Sequence, residues 1–441
     1  MIQRLTQGQP VTVPHPILTA IIALWGGFAG CVRAELSVTN VRSVQRPETK
    51  LVDIDYDLAS TEPFVRVTLE ISENGGVTYA VPATSLIGAI GGAVRPGLNQ
   101  RITWSAGVDW NGQVSPQVRF RIAAETAPPG LAIIPAGTFQ MGDNYAEGEV
   151  YERPVHPVYT SRLLMSRYEV TTEQMREVLQ WAFDHALVDV DSTTVTNREG
   201  TPKPFLSFVA NDHGRHATYL RFADGLFYIE ADKGSFPMGG VTWFGAQAYC
   251  NYRSDIEGLP RCINFADWTC DFGNIGYRLP TEAEWEKAAR GGLTGHHYPW
   301  ISFGGNYAQH ITGYMAKYNA TADPWAFTPY YWSTPVGYFD GHQLSYGNPA
   351  GTDMANGYSL YDMAGNVWEW CWDNWKGDWY AQPQASQDDT TGPVLSGAVT
   401  KVIRGGSYGY NAISLRVARR AGYSPTYLNF PLGLRPVRRE P

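Results

Sequence analysis

Charge is scarce in this chain of 441 residues: only 17% are Asp, Glu, Lys or Arg, against roughly 25% in ordinary soluble domains. The 34 basic residues are outnumbered by 42 acidic ones and form no long run. With no basic stripe to neutralise phosphates, nucleic acid is excluded as a partner. Cysteine is scarce too. Cys31, Cys250, Cys262, Cys270 and Cys371 are too few for a disulfide framework and contain no CxxC pair of the zinc type. Long apolar runs are missing as well. The most apolar stretch, Ile17 to Gly30, is shorter than the roughly 20 residues that span a bilayer. What the chain does hold is aromatic residues, at 13%, together with 46 glycines and 29 prolines. A helical bundle does not have this composition. It suits irregular backbone pinned by large rings and by a metal.

Arg4, the apolar stretch and the small residues that follow have the three-part layout of an export signal, with Val32 and Ala34 supplying the small-residue pattern for cleavage after Ala34. The competing reading is a lipoprotein signal. Phe28-Ala29-Gly30-Cys31 resembles a lipobox, and only a lipid anchor on Cys31 would bring the protein to a membrane. Both readings place it outside the cytoplasm: secreted, periplasmic or on the cell surface. Export permits a disulfide, and Cys262 and Cys270, which flank a short Asn/Asp/Trp-rich loop, are the expected pair.

Residues 35–126 alternate with period two in short β-branched and aromatic runs: LSVTNVRSVQ, LVDIDYDL, FVRVTLEIS, GGVTYAVPA, QRITWSAG and VRFRIAA. Turn residues such as Glu73-Asn74-Gly75-Gly76 and Pro96-Gly97 separate the runs. This spacing predicts an all-β sandwich of immunoglobulin or fibronectin type, read as a spacer or docking module because it carries no cluster of catalytic side chains. Ala127-Pro128-Pro129-Gly130 marks a linker.

Residues 131–441 carry three helical patterns. Thr171 and Thr172 precede Glu173, with Met175, Val178, Leu179 and Phe183 at helical spacing. A second pattern runs from Val241 through Tyr249. In the third, Thr281 is the N-cap, Glu284 its capping-box partner, and Trp285, Ala288 and Ala289 share a face. Beyond Gly291, glycine, asparagine, aspartate and aromatics dominate.

Five motifs then fall in one order: Ile134-Pro135-Ala136-Gly137-Thr138-Phe139-Gln140-Met141-Gly142, Tyr168-Glu169-Val170-Thr171, Tyr277-Arg278-Leu279-Pro280-Thr281-Glu282-Ala283-Glu284-Trp285-Glu286, Gly365-Asn366-Val367-Trp368-Glu369-Trp370 and Arg404-Gly405-Gly406-Ser407. Together they resemble the formylglycine-generating enzyme, or sulfatase-modifying factor, family over residues 131–438. The resemblance implies an α+β fold, a loop-rich variant of the C-type lectin fold with bound calcium, preceded here by the β-sandwich. By position it puts calcium ligands on Asp362 and Glu369 (side chains) and on Gly365 and Val367 (carbonyls). Hard anionic oxygens with backbone carbonyls are what Ca²⁺ takes. A second calcium site of the family would want an asparagine where Lys317 stands, with Asn319 and Asp323 out of register.

Active members of the family oxidise a substrate cysteine with copper held by two thiolates, placed three residues after the RGGS motif and five further on. A soft monovalent copper needs such thiolates. Here those positions are Tyr410 and Leu415, and no cysteine follows Cys371, so copper chemistry of that kind is not expected. The family's partner for Cys250 is replaced by Pro436, which leaves Cys250 as a free thiol or paired elsewhere. A sulfoxide-forming branch uses an iron-binding His-x-x-x-His-x-Glu, a spacing that His213, His216, His296 and His297 do not reproduce.

In place of thiols, the segment from Tyr408 alternates Tyr, Ser, Asn, Gly and Phe around arginines, a composition that resembles a paratope. Lectin-like proteins related to the family display such a stretch as a variable binding surface. The candidate ligand contacts are Tyr408, Tyr410, Asn411, Ser414, Arg416, Tyr423, Ser424, Tyr427, Asn429 and Phe430. The expected function is thus an exported, calcium-stabilised domain that binds a protein, peptide or glycan. The alternative is a formylglycine-generating-type oxidoreductase acting on a protein or small-molecule thiol through a different metal site.

Overall fold

The structure is a computed structural model and describes residues 36–209, 218–300, 311–319, 333–342, 351–396, 399–428 and 431–440. The export signal, Cys31, His213, His216, Asp323, Asn429 and Phe430 lie outside the described residues. The chain divides into two compact units, Met1–Pro129 and Gly130–Pro441. No described helix is long and apolar enough to cross a membrane.

The described residues of the first unit form seven strands: β1 (Ser37–Gln45), β2 (Leu51–Ala59), β3 (Val65–Ser72), β4 (Leu86–Gly88), β5 (Gly91–Val94), β6 (Gly97–Ser105) and β7 (Arg119–Glu125). They form two antiparallel sheets, ordered β1-β2-β6-β4 and β5-β3-β7. Strand β2 shows why. Its period-two pattern sends Val52, Ile54, Tyr56 and Leu58 into a core shared with Val65, Val67, Leu69 and Ile71 of β3 and Ile102 and Trp104 of β6. Its alternate residues Asp53 and Asp55 bond instead to Arg46 (2.9 Å) and Arg101 (2.6 Å). The expected run GGVTYAVPA is not a strand and touches the sheet at one bridge, Ile71 to Val81. The strands β4 and β5 that follow it were not anticipated.

Asp109 ties this unit together. Its carboxylate accepts hydrogen bonds from the backbone and hydroxyl of Thr84 (2.8 and 2.6 Å), the backbone and hydroxyl of Ser85 (2.8 Å each) and Trp104 Nε1 (2.9 Å). Burial alone would raise its pKa, but these bonds outweigh it and hold the carboxyl well below the usual range. A depressed folded-state value means that the stabilisation is complete above the unfolded value near 4 and is lost as pH falls below it. Asp109→Ala is expected to cost about 1–3 kcal/mol. Urea unfolding followed by fluorescence should show the first unit's transition shifted at neutral pH, with the difference from wild type closing as the solution is acidified. A difference that is the same at every pH counts against the account.

The described residues of the second unit form short sheets and three longer helices. Helix Thr172–Asp184 starts in a capping box between Thr171 and Gln174. Helix Trp243–Ile256 is buried almost all round. Helix Glu282–Arg290 starts in the Thr281–Glu284 box and ends at left-handed Gly291. The strand Leu163–Ser166 pairs with both Leu131–Ile134 and Val437–Arg438, so the start and end of this unit share one sheet. A second sheet, ordered 420–423, 401–404, 368–374, 432–433, carries two of the motifs. Trp285, Ala288 and Ala289 of the last helix pack with Met363, Cys371, Val402 and Val417, which fixes that sheet against the helix.

The disulfide expected between Cys262 and Cys270 is corrected: both are free thiols, as are Cys250 and Cys371. The ribbon register opposes Cys270 to Ile263. Cys262 therefore has no place directly opposite Cys270, and its thiol donates instead to the carbonyl of Gly276 (3.3 Å).

Candidate functional site

The second sheet brings the GNVWEW and RGGS segments side by side, with Glu369 opposite Arg404. After strand Lys401–Arg404 the chain turns through Gly405 and Gly406, both at positive φ. A Cβ on Gly406 would stand 2.7 Å from Leu415 Cδ1 and from the Ser414 carbonyl, so only glycine allows the loop 407–415 to fold back this closely. Arg404 is fully buried. Its guanidinium ion-pairs with Glu286 and donates to the carbonyls of Val417 (2.8 Å), Ala418 (3.1 Å) and Arg419 (2.9 Å). One arginine thereby clamps the far end of the same loop.

The loop displays an aromatic group. Tyr410, 37% exposed, sets its ring edge-on to Trp368 at 5.4 Å, and its hydroxyl lies 3.3 Å from that of Tyr423. Tyr423 stacks on Tyr427 at 4.5 Å and 14°. Asn411 and Ser424 are exposed beside them. The other sequence candidates are corrected. Tyr408 and Ser414 are buried, the former donating its backbone N–H to the Asn366 carbonyl (2.9 Å). Arg416 is 3% exposed and turns inward to Glu152 (2.8 Å) and Asp143 (3.7 Å), because a guanidinium removed from water must be paired.

Two buried polar groups stand next to Tyr410. Ser407, whose carbonyl accepts from the Tyr410 N–H (3.0 Å), has a hydroxyl with no partner, and so does Nε1 of Trp368. Such unsatisfied groups are uncommon in folded proteins and call for an explanation. Leu415, at the second position where the resemblance would place a copper thiol, is wholly buried among Tyr298, Trp300, Phe339 and Met354. None of the four thiols of the described residues stands at either of those positions. Burial pushes Cys262 to about 11, Cys270 to about 12, and Cys250 and Cys371 well above their ordinary value, which disfavours the free thiolate.

The expected calcium residues lie in the turn before strand Trp368–Asn374, where Asp362, Gly365 and Asn366 all have positive φ. A Cβ on Gly365 would meet the Lys317 carbonyl at 2.3 Å. Glu369 is fully buried. Its oxygens accept from Arg435 Nη2 (2.7 Å), Arg435 Nε (3.0 and 3.1 Å) and Trp285 Nε1 (2.7 Å). One Asp362 oxygen accepts from the Gly337 N–H (2.6 Å). Sequence reasoning missed a third carboxylate, Glu169, which accepts from Asn366 Nδ2 (2.6 Å) and the Val367 N–H (3.1 Å); its place in the Tyr168-Glu169-Val170-Thr171 motif was the available signal. Burial, then the charges of Asp362 and Glu369, raise Glu169 well above the usual carboxylate range, and burial pushes Asp362 to about 6. Among the described residues no three His, Cys, Asp or Glu side chains converge into a metal cluster. Both Glu369 oxygens are taken by Arg435 and Trp285; what would suit a hard dication here is the excess of negative charge where Glu169, Asp362 and Glu369 face the one guanidinium of Arg435.

A family model described as "Sulfatase-modifying factor enzyme 1-like domain" matches residues 118–440. A formylglycine-generating enzyme of Thermomonospora curvata is 31% identical over 306 residues, 63% of this chain and 82% of its own length. An inactive C-alpha-formylglycine-generating enzyme 2 of Bos taurus is 28% identical over 319 residues, 68% of this chain and 85% of its own. Among solved structures, Treponema denticola variable protein 1 aligns over 70% of this chain and 95% of its own, at 25% identity and a TM-score of 0.44. The family match spans most of the chain and includes both the clamp of Arg404 and the turn before Trp368: the chain belongs to the sulfatase-modifying factor, or formylglycine-generating enzyme, family.

Proposed function

We propose that this chain is an exported, calcium-stabilised ligand-binding member of its family and does not carry out copper-dependent thiol oxidation. The observation that carries the reading is the exchange at the two thiol positions. Tyr410 stands exposed beside half-buried Tyr423 and Tyr427, backed by the buried ring of Trp368, and Leu415 is sealed in the core. Tyrosines give rigid amphipathic contact area, and Asn411 and Ser424 add adaptable hydrogen bonds, which is recognition chemistry. The bovine relative is itself named inactive. The two-sheet N-terminal unit serves on this reading as an immunoglobulin- or fibronectin-like spacer that presents the second unit.

The test is copper titration of the full chain together with incubation on a cysteine peptide of sulfatase type. The expected result is no stoichiometric Cu(I) binding and no aldehyde on the peptide. Aldehyde formation would overturn the proposal and favour the oxidoreductase reading.

A further inference from the structure

A second recess lies away from the tyrosine surface. It is a cleft of about 460 Å³ between the short turns Trp379–Ala381 and Pro383–Ser386 and the loop that follows, within the size range of small-molecule sites. We propose that this cleft binds a neutral oligosaccharide.

Three features of the cleft point to that ligand. Its frame is fixed. Asp389 accepts from the Ser161 backbone and hydroxyl, both at 2.6 Å, and donates its own N–H to the Tyr159 carbonyl (3.0 Å). Gly392 sits so tightly on buried Asp373 that a Cβ there would come within 2.5 Å of its carboxylate. A loop anchored at both places presents its side chains with little ordering cost on binding.

The lining mixes amides and hydroxyls with the apolar side chains of Pro393, Val394 and Leu395, and its exposed charge is that of Asp388. Gln384 and Gln387 are exposed amides, and an amide both donates and accepts. The one cation, Lys376, lies 3.3 Å from Asp378, and both Asp389 oxygens are engaged by Ser161. Asp388 is exposed. An anionic ligand would meet Asp388 with no uncommitted cation to balance it, and an apolar ligand would strand the amides. Hydroxyl groups, which donate and accept like the amides, fit both.

The floor is aromatic. Trp379 lines the cleft while its ring belongs to the core cluster with Met141, Val158 and Ala283. It supplies a fixed apolar edge for the C–H face of a sugar.

The experiment is saturation-transfer NMR on the full chain with maltose, cellobiose, lactose and diacetylchitobiose at millimolar concentration. At least one should show transfer. Gln384→Ala and Gln387→Ala, both at exposed positions, should each weaken it about three- to tenfold, the worth of one hydrogen bond. Tyr427→Ala should leave it unchanged. No transfer from any of the four sugars overturns the proposal, as does transfer that survives both glutamine variants. Transfer lost only in Tyr427→Ala moves the sugar to the tyrosine surface and overturns it as well. The copper experiment is untouched by any of these outcomes, so the two readings fail separately.

Discussion

Arg404→Ala is expected to unfold the second unit at markedly lower urea while leaving the first unit in place. The guanidinium ion-pairs with Glu286, lies 3.5 Å from Glu282, and holds three successive carbonyls. Removing it strands buried Glu286 with only Arg290 (2.6 Å) as counter-ion and leaves the carbonyls of residues 417–419 without this donor. Breaking one side of a buried pair costs about 3–5 kcal/mol, mostly as the price of the charge left behind. Arg404→Lys should recover little, because an ammonium cannot reproduce the planar fork that bridges a carboxylate and three carbonyls. The observable is a two-transition urea curve in which only one midpoint moves. A substitution that leaves both midpoints in place would show that the clamp does not hold the loop. Since the clamp also sets where Tyr410 emerges, binding should fail in Arg404→Lys even under conditions where the protein remains folded.

The division between what the residues announced and what they hid follows from the range of the interactions. The helix starts at Thr171 and Thr281 were legible because capping boxes join residues three apart. Strands such as Leu51–Ala59 were legible because their alternation is local and strict. The run GGVTYAVPA alternates too, yet pairs at a single bridge; two glycines at its start carry positive φ and turn the backbone away from a ladder. The expected disulfide is absent for a related reason, since a spacing of eight residues suggests proximity but does not set the register, which opposes Cys270 to Ile263. At the site, the tyrosines could be read as a surface from composition. Arg416 could not be separated from them, because its partners Glu152 and Asp143 lie more than 260 residues away in sequence. Glu169 was hidden in the same way. A carboxylate becomes part of a charge cluster only when the fold brings Asp362, Glu369 and Arg435 around it.

That cluster yields the second large effect. Arg435 donates to Glu369, to the Tyr361 carbonyl (2.9 Å) and to the Ser166 carbonyl (3.1 Å), and it is the cation that faces Glu169, Asp362 and Glu369 together. Arg435→Met keeps the apolar stem and removes the charge, so three carboxylates are left facing one another. The expected loss is about 3–5 kcal/mol when calcium is withheld. Calcium bound at the turn 362–369 would stabilise the folded state in proportion to its concentration, by about 2.7 kcal/mol at one hundred times its dissociation constant. The wild-type second unit should then unfold at lower urea in chelator than in calcium. Arg435→Met should be the more calcium-dependent of the two proteins, because each remaining negative charge has only the dication to face. Magnesium should substitute poorly, since it demands a tighter octahedron than a turn of carbonyls and fixed carboxylates supplies. Midpoints that are identical in calcium and in chelator, for both proteins, would remove calcium from the account. The excess charge would then have to be met by protons on Glu169 and Asp362, the two carboxyls that burial already pushes upward.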